Sequence, residues 1–140
     1  RTTAALDLVG DLTWADRRTG QHRPVDMTAH GDVVVARRDI GTSYHLSVVV
    51  DDSLDGVTLV TRGSDLADST HVHRLLQALL DLPSPDYFHH DLVRDAAGNR
   101  LAKRHDAKSI RQIRDAGWHA EDIIASLPNV ADLLPFADDF

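Results

Sequence analysis

The chain has 140 residues, no cysteine and a formal net charge of −7 at neutral pH. That length suits one domain with a real core, and the acidic balance argues against a sequence-independent nucleic-acid binder with a basic face. Without cysteine there is no disulfide framework or thiolate metal site, which fits a cytoplasmic setting, and no apolar run reaches the ~18 residues of a membrane span.

The chain opens on Arg1, and Arg1 to Ala5 lacks the features of a signal peptide, so a chain cut from something longer is expected. Arg1 to Leu12 carries Leu6, Leu8, Val9 and Leu12 with weak periodicity. Trp14 to His30 has no apolar period and reads as loop. Asp32 to Arg37, DVVVAR, places three valines in a row, which predicts a strand buried on both faces at the centre of a sheet. Leu46 to Leu54 is ambiguous, because Val48 to Val50 favour a strand while Tyr44, Val48 and Asp51 or Asp52 fall on helical spacing. A helix is expected there, stopped at Asp55-Gly56.

Val57 to Thr61 reads as a strand. Ser69 or Thr70 then caps a helix whose apolar positions, Val72, Leu75, Leu76, Leu79 and Leu80, recur at three and four, and Pro83 and Pro85 end it. Tyr87 to Arg94 reads as another strand, followed by a turn at Asp95 to Asn99. Ser109 caps a helix containing Ile110, Ile113 and Ala116 and closed by Gly117. Glu121 to Leu127 forms a second helix stopped by Pro128.

Arg62 is the first candidate for chemistry. An arginine at the carboxyl end of a strand is placed to hold a carboxylate or phosphate, and the hydroxyl of Tyr44 can join the same group. Position alone leaves Arg62 equally readable as a solvated surface residue. The basic run Arg100 to Arg104 is the second candidate: a loop that brings a lysine to a nucleotide triphosphate, or else a plain solvated turn. His71 and His73 are two apart on a helix and do not share a face, and His89 and His90 alternate on a strand. Neither spacing supports a zinc pair. The Asp51, Asp52, Asp55 cluster lacks the spacing and terminal glutamate of a calcium loop.

GDVVVARRD, TSYHLSVVVDDSLDGVTLVTRGSDL, the helix HRLLQALLDLP, DYFHHDLV and DAAGNRLAKR, taken in order, resemble the glutamyl-tRNA synthetase family over roughly Gly31 to Gly117. Its short glutamyl-Q tRNA(Asp) synthetase branch is the expected match, since GDVVVARRD reads more like that form and the sequence continues only about 36 residues past Arg104, with no room there for a helical anticodon-binding domain. The resemblance implies an α/β fold, the Rossmann-like class I synthetase catalytic domain. On this reading residues 1–30 are a partial connective region, 31–127 the C-terminal part of the nucleotide-binding catalytic domain, and 128–140 a tail.

It implies ATP-dependent activation of glutamate to glutamyl-adenylate, with Mg²⁺ shared with ATP, and transfer to queuosine in tRNA(Asp) by a protein that is monomeric when intact. Tyr44 matches the tyrosine lining the glutamate pocket and Arg62 the arginine holding the substrate carboxylate. Arg100, Leu101, Ala102, Lys103 and Arg104 match the KMSKS-like loop. Lys103 is its catalytic lysine on the ATP phosphates, and Arg100 keeps its first charge. Ala102 departs from the family pattern by losing a hydroxyl. The HIGH motif and the cysteine zinc site have no counterpart and are expected upstream of Arg1. Two alternatives stay open: a non-catalytic nucleotide- or tRNA-binding remnant, and part of a full glutamyl-tRNA synthetase.

Overall fold

The β-branched run that ends at Arg62 and the aromatic run after Pro85 become neighbouring strands, and the amphipathic helix between them closes the crossover. In the computed structural model, which describes residues 1–39, 41–92, 94 and 109–126, the chain divides into two compact units, Arg1–His90 and Asp91–Phe140. The first unit runs α1 (Thr2–Val9), β1 (Thr13–Asp16), β2 (Gln21–Pro24), β3 (Ala36–Arg37), β4 (Gly41–Thr42) and α2 (Tyr44–Leu54). It continues through β5 (Leu59–Gly63), a 3-10 turn (Ser64–Leu66), α3 (Ser69–Leu79) and β6 (Asp86–His90).

Four strands form one sheet in the order β2-β1-β6-β5. β5 and β6 pair in parallel with Leu59 beside Asp86 and Gly63 beside His90. This register sets Arg62 beside His89, each one residue before the carboxyl end of its strand. β1 pairs in parallel with β6, and antiparallel with β2. The core gathers Met27, Val72 and Leu75, with Ala5, Leu6, Val9, Leu12, Val25, Val33 and Leu76 packed around them. Val72, Leu75 and Leu76 of the expected α3 stripe therefore face the core as the helix pattern requires, while Leu79 and Leu80 are exposed.

Two expectations are corrected. Trp14 to His30 is not all loop, because residues 13–16 and 21–24 form a β-hairpin whose turn ends at Gly20 with φ +68°. Its outer strand is exposed throughout and made of Gln21, His22, Arg23 and Pro24. A solvated edge strand needs no apolar alternation, and proline is tolerated there, so hydrophobic periodicity could not reveal it. The valine run is not a central strand either. Ala36–Arg37 alone pairs, with Gly41–Thr42, in a separate two-stranded ribbon. Val33 packs on the core while Val34 is 61% exposed. Asp32 is occupied with α1, accepting the Thr2 backbone N–H at 2.8 Å.

Other elements fall near their expected places. The ambiguous segment after Ser43 is a helix: the Ser43 hydroxyl accepts the Leu46 N–H, and the helix stops at Asp55. The strands expected at Val57–Thr61 and Tyr87–Arg94 shift to Leu59–Gly63 and Asp86–His90. Asp68, not Ser69 or Thr70, occupies the cap position of α3, and it makes no side-chain cap hydrogen bond.

In the second unit, α4 (Ile110–Asp115) starts at Ser109 with a capping box. The Gln112 N–H donates to Ser109 Oγ, and the Ser109 N–H donates to Gln112 Oε1. Gly117, at φ +90°, lets the chain leave that helix. α5 spans Ala120–Ser126. Leu127, Pro128, the turn Asp95 to Asn99 and the 128–140 tail lie outside the described residues. Among the described residues no helix is long and apolar enough to cross a membrane.

The two packing assignments give opposite expectations for two apolar residues. Leu75→Ala removes a residue 5% exposed in the core and should cost about 2–5 kcal/mol in urea unfolding. Val34→Ser should stay within about 0.5 kcal/mol of wild type, as exposed substitutions do. A comparable loss for both would return Val34 to the core.

Candidate functional site

Arg62 is only 9% exposed, so its guanidinium is held inside the protein rather than in solvent. Its Nε donates to His89 Nε2 at 3.2 Å, Nη1 lies 3.1 Å from His73 Nδ1, and Nη2 donates to Thr70 Oγ1 at 2.6 Å. The guanidinium also lies 5.3 Å from the centre of the Tyr87 ring, within cation–π range. Guanidinium nitrogens only donate. His73 Nδ1 and His89 Nε2 therefore carry no proton.

The remaining tautomers follow. His73 holds its proton on Nε2 and gives it to His45 Nδ1 at 3.0 Å. His89 holds its proton on Nδ1, and the Thr70 hydroxyl, 3.2 Å from His89 Nε2, donates to it while accepting from Arg62. Every acceptor of Arg62 is thus neutral. No carboxylate among the described residues pairs with it. Three of its five N–H groups have partners among the described residues, which leaves one on each terminal nitrogen without a partner there.

Local sequence explains the assembly. Thr70 and His73 are three apart on α3 and share the face turned to β5, while His89 is the register partner of Arg62 on β6. His71 faces the other way, accepting the Asp26 N–H at 3.0 Å and meeting Trp14 edge-on. His90 is exposed where His89 is buried. Both alternations match the spacing argument from sequence. Tyr44 is 54% exposed. Its ring centre lies 5.6 Å from that of His45 and 5.7 Å from that of His73. Tyr44 and Arg62 thus come together through His73.

The electrostatics agree with neutral histidines. Burial, then Arg62, then His45 push His73 down to about 3. Burial, then Arg62, push His89 down to about 4, against an opposing pull from Asp16. His45 is lowered by burial, then by His30 and Arg62. Asp52, on α2, is raised by burial despite the attraction of Arg62, with Asp51 and Asp55 adding to the rise.

Sequence reasoning singled out Arg62 and Tyr44, both of which contact His73, but missed His45, Thr70, His73 and His89 as parts of one cluster. The available signal was a polar pair, Thr70-x-x-His73, one turn apart in the crossover helix that follows the arginine strand. Arg100, Leu101, Ala102, Lys103 and Arg104 lie outside the described residues. Among the described residues no three His, Cys, Asp or Glu side chains converge as metal ligands.

The profile of the tRNA synthetases class I (E and Q), catalytic domain, matches residues 7–130. The chain belongs to that family. This class I synthetase chain is 54% identical over 110 residues to a glutamyl-Q tRNA(Asp) synthetase of Rhodobacter capsulatus, covering 78% of the chain and 40% of the relative. It is 44% identical over 126 residues to one of Nitratidesulfovibrio vulgaris, covering 90% of the chain and 39% of the relative. The chain thus spans about two fifths of the length of these curated relatives.

Among solved structures, a glutamate-tRNA synthetase from Elizabethkingia anophelis matches with a TM-score of 0.57 and 25% identity, over 67% of this chain and 19% of that one. A glutamate tRNA ligase from Elizabethkingia meningosepticum, in complex with its amino acid, matches with a TM-score of 0.57 and 26% identity, over 69% and 19%. The mixed α/β architecture with parallel strands is that of the class I synthetase catalytic domain, as the resemblance implied.

The buried histidines make an acid-sensitive synthetase fold. Their folded values lie below the ordinary value of 6.5, so the unfolded state binds more protons between the two. Their contribution is fully present above about pH 6.5 and is lost as the pH falls toward 4 for His89 and 3 for His73. Each should lower stability by about 1.4 kcal/mol per pH unit in that window. His73→Gln should flatten the slope measured by urea unfolding at pH 7, 6 and 5, and an unchanged slope would refute the assignment.

Proposed function

We propose that the chain supplies the glutamate-recognising part of an ATP-dependent ligase that activates glutamate to glutamyl-adenylate and transfers it to queuosine in tRNA(Asp). The observation that carries this reading is the buried Arg62, which among the described residues has no carboxylate partner and keeps one N–H on each terminal nitrogen without a partner. Such a group is completed by a ligand carboxylate. The relatives named glutamyl-Q tRNA(Asp) synthetase support the choice of glutamate and of the tRNA.

In this reading Arg62 binds a substrate carboxylate and the exposed Tyr44 hydroxyl adds a hydrogen bond from the rim. Lys103, with Arg100, meets the ATP phosphates as negative charge grows on them, a role carried by the KMSKS-like resemblance of residues 100–104. Mg²⁺ would be held largely by the nucleotide's own phosphates, as it is in many nucleotide sites. A protein of this kind works in the cytoplasm, where ATP and tRNA are found.

Selectivity for the acid over the amide follows from the same geometry. A carboxamide offers no charge to the buried guanidinium, and a site left with an unpaired charged donor rejects its ligand strongly. In the full-length protein, Arg62→Ala should raise the glutamate KM in pyrophosphate exchange roughly 10- to 100-fold, the worth of a charged hydrogen bond. The ATP KM should stay within about 2-fold, since no uniform binding to the nucleotide is removed. Arg62→Lys should recover little, because a point charge cannot make the two-pronged contact. Equal rises in both KM values would sink the assignment.

A further inference from the structure

His73 is 2% exposed and touches both residues assigned to the substrate carboxylate. Its Nδ1 accepts from Arg62, its ring lies against Tyr44, and its Nε2–H reaches His45, the neighbour of Tyr44 on α2. One side chain on α3 thereby joins the strand that carries the arginine to the helix that carries the tyrosine. An aspartate or glutamate at this position would hold Arg62 at least as firmly, since charge-assisted hydrogen bonds are the stronger kind. It would also supply the counter-charge that the ligand is meant to bring.

We propose that His73 is a positioning and specificity-determining residue: a neutral acceptor that fixes the Arg62 guanidinium without neutralising it, so that the substrate carboxylate is its counter-ion. The proposal rests on the carboxylate-binding reading of Arg62. Fixing matters because the arginine side chain has many rotamers, and an unheld guanidinium pays ordering entropy on each binding event. Neutrality matters because a protein carboxylate would compete with the ligand for the same charge. Thr70 and His89 are neutral too, but neither contacts the Tyr44 helix through a hydrogen bond as His73 does through His45.

Three substitutions in the full-length protein separate the two demands, with glutamate and ATP KM values read apart in pyrophosphate exchange. His73→Gln keeps an acceptor for Arg62 and a donor for His45, and should stay within about 3-fold of wild type for glutamate. His73→Leu removes the acceptor and should raise the glutamate KM about 10-fold or more with the ATP KM unchanged. His73→Glu keeps an acceptor but adds a charge, and should raise the glutamate KM beyond the leucine variant while narrowing the preference for glutamate over glutamine.

Wild-type glutamate KM in both His73→Leu and His73→Glu, alongside a large rise in Arg62→Ala, would overturn the role of His73 and leave the carboxylate reading standing. No rise in Arg62→Ala would overturn both. If thermal melting shows that His73→Leu fails to fold, the near-isosteric Gln and Glu variants decide. A higher glutamate KM for Glu than for Gln supports the role, and equal values overturn it.

Discussion

A permanently charged guanidinium held out of water is the constraint on which the rest of this structure depends. Arginine stays protonated in proteins, so its desolvation cannot be avoided by losing a proton. Hydrogen bonds must offset that cost, and here they come from His73, His89 and Thr70. Each partner is then constrained in turn. Both imidazoles must be neutral, each in one tautomer, and the Thr70 hydroxyl must send its proton to His89. A change at any of these atoms is felt at Arg62.

The sheet serves the same end. Parallel pairing of β5 with β6 puts Arg62 and His89 side by side, and the crossover through α3 delivers Thr70 and His73 from above. Behind them stands an aromatic wall. Trp14 meets His71, Tyr87 and His89 edge-on, while Tyr87 and His89 lie nearly parallel at 3°. Arg23 on the exposed strand covers Trp14 at 5.2 Å and reaches Asp16 at 3.5 Å. The hairpin that the sequence hid is therefore part of the support of the site.

What could be read from sequence follows the range of the forces involved. The stripe of α3, the helix after Ser43 and the strand ending at Arg62 are written in local spacing, capping and β-branching. The family resemblance narrowed the expectation for Tyr44 and Arg62 from a carboxylate or phosphate to a glutamate carboxylate, which no local rule supplies. The valine run misled because three β-branched residues satisfy strand propensity equally well in an extended segment packed against helices, where Val33 is covered and Val34 is not. His73 was invisible as a partner of Arg62 for a different reason. Eleven residues separate them, and only the crossover brings them into contact, so no periodicity within one element can report it.

The whole cluster, from Tyr44 through Arg62, Thr70 and His73 to His89, lies within one stretch of chain. Its parts are contributed by consecutive elements, α2, β5, α3 and β6. A cluster of this kind travels as a cassette. Changes of length outside the cassette can alter what is appended to the fold without redrawing the cluster, and a growing polypeptide has every partner of Arg62 in hand once His89 has been added.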